Sequence, residues 1–420
     1  MMTKNTITRT LGHGGARSIG KACAGLSVVA LLLAAVPVTS ASAASVIRVP
    51  ADQPTIQQAI DAAANGDTVR VSSGTYTENI NFHGKAITVK SQNGPQTTII
   101  DGNQAGSVVT FATSETLSSV LKGFTVRNGT GILPFPGFAG GIDITEASPS
   151  IIGNIITNNQ GCFTGGGIGG HFSNAPLVQD NVITNNTKNA VCSSGGGGLS
   201  GVGGQILHNT ITNNAAKDGG GITLGAVAVV KNNTITGNTA EDLGGGMTTY
   251  NSSSSLVVQN LIANNTAPQG GGVHWSGSDG PLFLNNTIVN NHANQGSGIY
   301  AESDAFITLT NNIIVAAQGG EAINCGNSVT GLTLNHNNIF SSGGIAYAGN
   351  CISQTGINGN ISANPKFVNA GNGNYHLKSN SPSKDAGDKT APGLPAKDFD
   401  GDNRVIHHKV DQGIDEVTQN

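Results

Sequence analysis

Asn-x-Ile, usually followed by Thr or Ala and then Asn, recurs at Asn154, Asn181, Asn209, Asn233, Asn260, Asn286 and Asn312. The intervals are 27, 28, 24, 27, 26 and 26 residues, and one more step of 26 reaches Asn338. A period this regular means units stacked on one another. Each unit also carries a glycine cluster (165–167, 195–198, 219–221, 244–246 and 270–272), and an apolar residue follows the glycines at Ile142, Ile168, Leu199, Ile222, Met247, Val273 and Ile299. Helical repeats are excluded, because the units are built from Gly, Asn, Thr, Ser and short Ile/Val pairs that favour turns and strands. Three short strands and their turns make one rung of a parallel β-helix, each strand pairing with its counterpart one rung on, roughly 4.8 Å away. The expected fold is therefore all-β, a solenoid.

Equivalent positions then stack into columns. The second residue after each repeat Asn is Ile156, Ile183, Ile211, Ile235, Ile262, Ile288, Ile314 and then Phe340, a continuous inward apolar stack. The Asn itself is expected to take a left-handed conformation and to hydrogen-bond its equivalents above and below. Composition alone, with 61 glycines in 420 residues and 4% aromatics, would suggest disorder; the repeat overrides that reading.

Residues 1–44 hold Lys4, Arg9, Arg17 and Lys21 ahead of an apolar run at 26–36 and then Ala41-Ser42-Ala43. This is the pattern of a secretory signal peptide, and no other stretch is long enough to span a membrane. Its removal leaves 16 basic against 24 acidic side chains, net −8. An acidic, Arg-poor body argues against nucleic acid as a partner, and against unassisted binding of polyanionic glycans. Cys162 and Cys192 each lie three residues before a glycine cluster, and Cys325 and Cys351 each lie 13 residues before Asn338 and Asn364. Both pairs fall on neighbouring rungs within disulfide reach. Of three connectivities, Cys162–Cys192 with Cys325–Cys351 is favoured, as an oxidising compartment allows.

The segment 55–64 reads as a short amphipathic helix that caps the first rung, and strand-like runs at 68–71, 86–90 and 98–100 follow it. The stretch Thr55-Ile56-Gln57 to Ala59-Ile60, then Gly66-Asp67-Thr68-Val69-Arg70-Val71, Gly74-Thr75-Tyr76-Thr77-Glu78 and Thr98-Ile99-Ile100-Asp101-Gly102, resembles the opening of secreted right-handed parallel β-helix proteins of the pectin-lyase-like superfamily. Gly123-Phe124-Thr125-Val126-Arg127-Asn128-Gly129 is similar to their first full repeat. The resemblance implies a right-handed parallel β-helix of about ten rungs over 45–363. It implies no one activity, since that superfamily holds lyases, hydrolases, esterases, epimerases and non-catalytic proteins.

Residues 364–420 are expected to form a closing module. Asn364-Pro365-Lys366-Phe367-Val368, Asn374-Tyr375-His376-Leu377, Ser381-Pro382-Ser383, Asp385-Ala386-Gly387-Asp388, 398–404 and 410–416 resemble the C-terminal part of bacterial choice-of-anchor β-helix proteins. That resemblance implies an extracellular, surface-associated or freely secreted protein.

Counted from the last glycine of each cluster, the second and fourth positions should point outward: Asp143, His171, Thr223, Thr248, Tyr250, His274, Tyr300 and Glu302, with Trp275 beside them. A tryptophan flanked by tyrosines on neighbouring rungs can stack on sugar rings. Just before the glycines, Asp218, Glu241 and Asp242 place carboxylates one rung apart, spacing that suits a glycosidase pair or calcium. A pectate-type lyase needs a basic residue beside such acids, yet no arginine lies between Arg127 and Arg404, and polygalacturonase-like signatures are absent. Asp398, Asp400 and Asp402 alternate as in a calcium loop, although Asn403 and Lys409 occupy two positions an EF-hand reserves for Gly and Glu. The expectation is a secreted binder of a polysaccharide or cell-surface glycan, with calcium as the one cofactor suggested. Its alternatives are a polysaccharide lyase or glycoside hydrolase acting through Asp218, Glu241 and Asp242, and a non-catalytic structural or adhesin-type surface protein.

Overall fold

The computed structural model describes residues 43–132, 139–170, 175–190, 192, 197–250, 254–277, 280–302, 306–327, 329 and 331–418. The expected export segment 1–44 lies almost wholly outside the described residues, as do His171, Gly195 and Gly196. Residues 44–420 form one compact unit. Its strands fall into three long parallel sheets of 12, 11 and 11 strands and a fourth of four. In one rung the chain passes through Ser150–Ile152 of the first sheet, Ile155–Thr157 of the second, Gln160–Gly161 of the fourth and Ile168–Gly170 of the third, then re-enters the first at Leu177–Gln179. The architecture is a parallel β-solenoid of about eleven turns.

The three sheets enclose one core. A typical layer is Val257, Ile262 and Val273, all fully buried, and each such side chain contributes about 1.5–3 kcal/mol through loss of apolar surface to water. The repeat Asn sits at the corner between the first and second sheets. Asn260 donates its backbone N–H and its Nδ2 to Asn286 Oδ1 (2.9 and 3.0 Å), and Nδ2 also reaches Val230 O at 2.8 Å. Its own Oδ1 accepts from Asn233 N and Nδ2, both at 2.9 Å. The same bonds link Asn154 through Asn312, so the amides form a buried ladder along the axis. A second ladder runs from Asn159 through Asn186, Asn214, Asn238 and Asn265 to Asn291 at the next corner.

Three expectations are corrected here. The left-handed residue is the one before the ladder Asn: His208, Asn232, Gln259, Asn285 and Asn311 at the first corner, Asn158, Asn185, Asn213 and Asn264 at the second, with φ of 53–59°. The ladder residue keeps φ negative so that its side chain can point inward. Beyond Asn312 the ladder continues on Asn337, not Asn338, and then on Asn360. The one-residue shift makes Ile339 the buried member of the stack and turns Phe340 outward.

The glycine clusters have a steric cause. A Cβ on Gly246 would lie 2.6 Å from Gly272 O and 2.8 Å from Ile262 Cγ2, so successive rungs close at this corner only without side chains. Near the same corner Cys162–Cys192 bridges adjacent rungs with a Cα separation of 5.4 Å, and Cys325–Cys351 does so at 5.0 Å, the pairings the register predicts.

The helix Ile56–Ala62 buries Ile56, Ala59 and Ile60 in the core beside the first strands, and Glu78 accepts from the N–H groups of Ile56 and Gln57 at its start. After 363 the chain turns back along the flank of the solenoid. There it includes an antiparallel pair, Phe367–Asn369 with Asn374–Leu377. One line of its contacts falls on the residues that precede the ladder: Gln259 bonds Lys397 O, Asn285 bonds Asp411 O and Gly413 O, Asn311 bonds Asp388, and Gln412 bonds His336 O. Buried Arg404 pairs with Glu416 at 3.0 Å within this segment.

Replacing Asn260 by Ala strips the buried Asn233 N–H and Val230 carbonyl of their partners, and is expected to cost about 2–4 kcal/mol in urea unfolding, at about 1–3 kcal/mol per orphaned group. Asn213→Gly, at an exposed left-handed position whose next-rung equivalent is already Gly237, should change stability by less than about 0.5 kcal/mol.

Candidate functional site

The third sheet alternates inward and outward side chains, and its register stacks Thr248, His274 and Tyr300 in one outward column. Tyr250, two residues further along its strand, lies opposite Ser276. The same alternation sends Trp275 inward opposite Thr249 and Ala301. Trp275 is fully buried in the main core, with its Nε1 donating to Gly277 O at 3.3 Å. The expectation that it meets a sugar is therefore corrected: it stands on the third position after the glycines, which the pleat turns inward.

What remains on the outer face is compact. The imidazole of His274 stacks on Tyr300 with ring centres 5.7 Å apart and planes at 16°, and the Tyr250 ring lies 6.5 Å away on its other side. Tyr250 is 37% exposed, whereas His274 between the two rings is not exposed at all. His274 Nδ1 is 3.1 Å from Thr248 Oγ1, while Nε2 has no hydrogen-bond partner and faces Glu302 Oε2 at 3.9 Å. Burial lowers the His274 pKa from 6.5 to about 4 against the opposing pull of Glu302, so the ring is neutral at neutral pH. Burial likewise raises Tyr250 to about 12, aided by the charges of Asp218, Glu302 and Asp242.

Those charges join two groups that the sequence keeps apart. Asp218 ends a strand of the fourth sheet, just before its glycine cluster, and close enough to Tyr250 to act on it. Its carboxyl is raised by burial and by Asp242 and Glu241, with Lys217 opposing, and its Oδ1 is buried without a partner. Glu241 and Asp242 are engaged elsewhere, with Lys188 at 3.1 Å and Lys217 at 3.7 Å. The aromatic column and Asp218 thus form one site, with Glu302 on its far side.

The other outward candidates lie apart. Asp143 is 4% exposed, because it accepts from Ala139 N and Thr145 Oγ1. It nevertheless contributes, with Asn81, Thr110 and Thr145, to a groove of ≈ 460 Å³ further toward the N-terminus on the same face. His171 lies outside the described residues.

The aspartate triplet does not converge. Asp398 Oδ1 accepts from the N–H groups of Asp400 and Asp402 and Oδ2 from Glu416 N, which makes it a buried turn residue. Asp400 instead meets His376 and Asp415, whose donor atoms all lie within 4.8 Å of one another. His376 Nδ1 is 3.1 Å from Asp415 Oδ1 and 3.4 Å from Asp400 Oδ2. Burial would lower His376, but the bond to Asp415 and the surrounding carboxylate charges outweigh it and raise the imidazole above its ordinary range. His376 Nδ1 thereby sits between the two carboxylates. No periodicity links His376 to residues 24 and 39 positions later, so sequence reasoning missed this group.

Residues 199–364 match the family described as right handed beta helix region. Among solved structures, the crystal structure of pectate lyase Pel9A aligns over 90% of this chain and 98% of its own, at 14% identity and a TM-score of 0.42. No curated protein matches the chain. The fold is a parallel β-helix, and over residues 199–364 it matches the right-handed kind. Among the described residues, no helix is long and apolar enough to cross a membrane.

Because His274 is held neutral, it stabilises the fold fully above pH 6.5, and that contribution is lost as pH falls toward about 4. Between those limits the native chain should lose on the order of 3 kcal/mol more than a His274→Gln variant, as measured by urea unfolding at each pH.

Proposed function

We propose that this is an extracellular protein that binds a polysaccharide or cell-surface glycan across the outer face of its third sheet. The observation that carries the reading is the Tyr250–His274–Tyr300 column, three rings on consecutive rungs beside a fully buried, unpartnered imidazole nitrogen. Ring faces offer apolar contact to the faces of sugars, and polar groups at their edges read hydroxyls. Successive rungs spaced by roughly 4.8 Å repeat one surface along the axis, the form suited to a linear polymer. Two disulfides, the N-terminal sequence pattern and the resemblance of residues 364–416 support an oxidising, extracellular setting. A calcium requirement has no support from Asp398, which is occupied by backbone donors.

Asp218 favours a second reading, a glycan-degrading enzyme. A half-buried carboxyl whose pKa is raised by burial suits a general acid, and Asp242 on the next rung is a second carboxyl beside it.

Tyr250→Ala and Tyr300→Ala should each weaken retention on a glycan by about tenfold in affinity electrophoresis, the loss usual for a ring at the centre of a contact. Retention unchanged in both would remove this face from consideration. Release of reducing ends from any glycan, abolished by Asp218→Asn with retention preserved, would establish the enzymatic reading.

A further inference from the structure

The third sheet is finished differently at its two ends. Its first strand, Ile80–Asn81, is closed by the N-terminal helix: Gln57 Oε1 accepts from the Asn81 N–H at 2.7 Å, and Gln57 Nε2 donates to the Asn81 carbonyl at 3.1 Å. Charge surrounds that end, where Arg48 pairs with Asp52 and the Lys85 ammonium meets the carbonyls of Ile60, Asp61 and Ala63. Its last strand, Ile345–Gly349, pairs with Glu321–Cys325 on one side and, among the described residues, with no strand on the other. The second sheet is covered at this end, since Asn338 pairs with Ile361. The Ile345 N–H bonds back to Gly320 O, so the alternation of the strand turns the peptide groups of Ala346 toward the open side.

Apolar side chains gather at the same end. Ile345 is 54% exposed, Ile352 78% and Ile357 49%. Tyr347 and Leu332 of the last rung pack only partly buried against the core. The disulfide Cys325–Cys351 ties the chain just before Ile352 to that rung. No Asp, Glu, Lys or Arg occurs between Glu321 and Lys366. The returning segment keeps its acids on the flank, where Asp388 meets Asn335 at 3.0 Å. Sheet edges are ordinarily guarded against pairing by charge or proline, and the strand Ile-Ala-Tyr-Ala-Gly carries neither.

The charge balance selects the occupant. With 16 basic against 24 acidic side chains beyond the export segment, two copies of this chain repel one another over most of their surfaces. The uncharged end is the place where a second copy meets least opposition. We infer that the chain forms a closed dimer through this end, with Ile345–Gly349 paired antiparallel to the same strand of a second copy. A twofold axis across the end joins two eleven-stranded sheets into one and covers Ile345 and Ile352 of both chains. Head-to-tail growth is blocked, because Gln57 already occupies the matching edge at the first end. The inference is independent of any glycan.

The test is sedimentation of the chain from residue 45 onward, over a concentration series reaching about 100 μM, a range that detects even weak association. The expected result is a mass of two copies at the upper concentrations and slower hydrogen exchange at the Ala346 amide. The double variant Ile345→Glu with Ile352→Glu sets like charges against each other and should weaken the dimer at least about 100-fold. Both side chains are exposed, and the melting temperature checks folding; Ile352→Glu alone, at the more exposed position, serves should the double variant fail to fold. Val227→Glu, exposed on a middle rung, should leave the mass unchanged. A single-copy mass throughout the series overturns the inference. So does a dimer that persists in the folded glutamate variants, or a mass that grows beyond two copies.

Discussion

Every column in this molecule depends on one buried interaction, the amide of an asparagine bonded to the same amide one rung away. The side chain supplies an acceptor to the rung before it and two donors to its surroundings, so each residue completes its neighbour. Buried amides left half-satisfied would cost more than apolar replacements, which makes the ladder intolerant of slippage. A slip of one residue would also turn every inward Ile or Val to solvent. Hydrogen bonding and burial thus specify the same register independently.

That register builds the candidate site. His274 belongs to one rung, Tyr300 to the next, and Tyr250 and Thr248 to the one before. No local segment brings these groups together; they meet because equivalent positions are held in line along the axis. The unpartnered nitrogen of His274 is therefore a product of stacking, since the rings that bury it come from both adjacent rungs. The glycine corner beside this column contributes no side chains, and Asp218 can approach across it from the fourth sheet.

The solenoid, its three-strand rung, the inward Ile stack, the short N-terminal helix and both disulfide pairings were legible in the sequence, because each follows from period and parity. The departures have local causes. A step of 25 residues in place of 26 moved the ladder position after Asn312 from Asn338 to Asn337 and exchanged Phe340 for Ile339 in the core. Counting parity also located His274, Tyr300, Tyr250 and Glu302 correctly on the outer face. It could have placed Trp275 inside, but its chemical suitability for sugar binding outweighed its odd-numbered position. Burial of Asp143 and His274 was not legible, because each is covered by residues from elsewhere. The grouping of His376 with Asp400 and Asp415 depends on the irregular path of the C-terminal segment, which no repeat describes.

A stack in which each rung touches only its neighbours would ordinarily fray one turn at a time from an open end. The returning C-terminal segment alters that behaviour. It is bonded successively to Gln259, Asn285, Asn311 and His336, one residue from each of four consecutive rungs. Loss of the final turn alone would break only part of this line, while the rest still tethers the turns beneath. The segment therefore couples rungs that do not touch, and makes the C-terminal third of the coil melt as a single cooperative block.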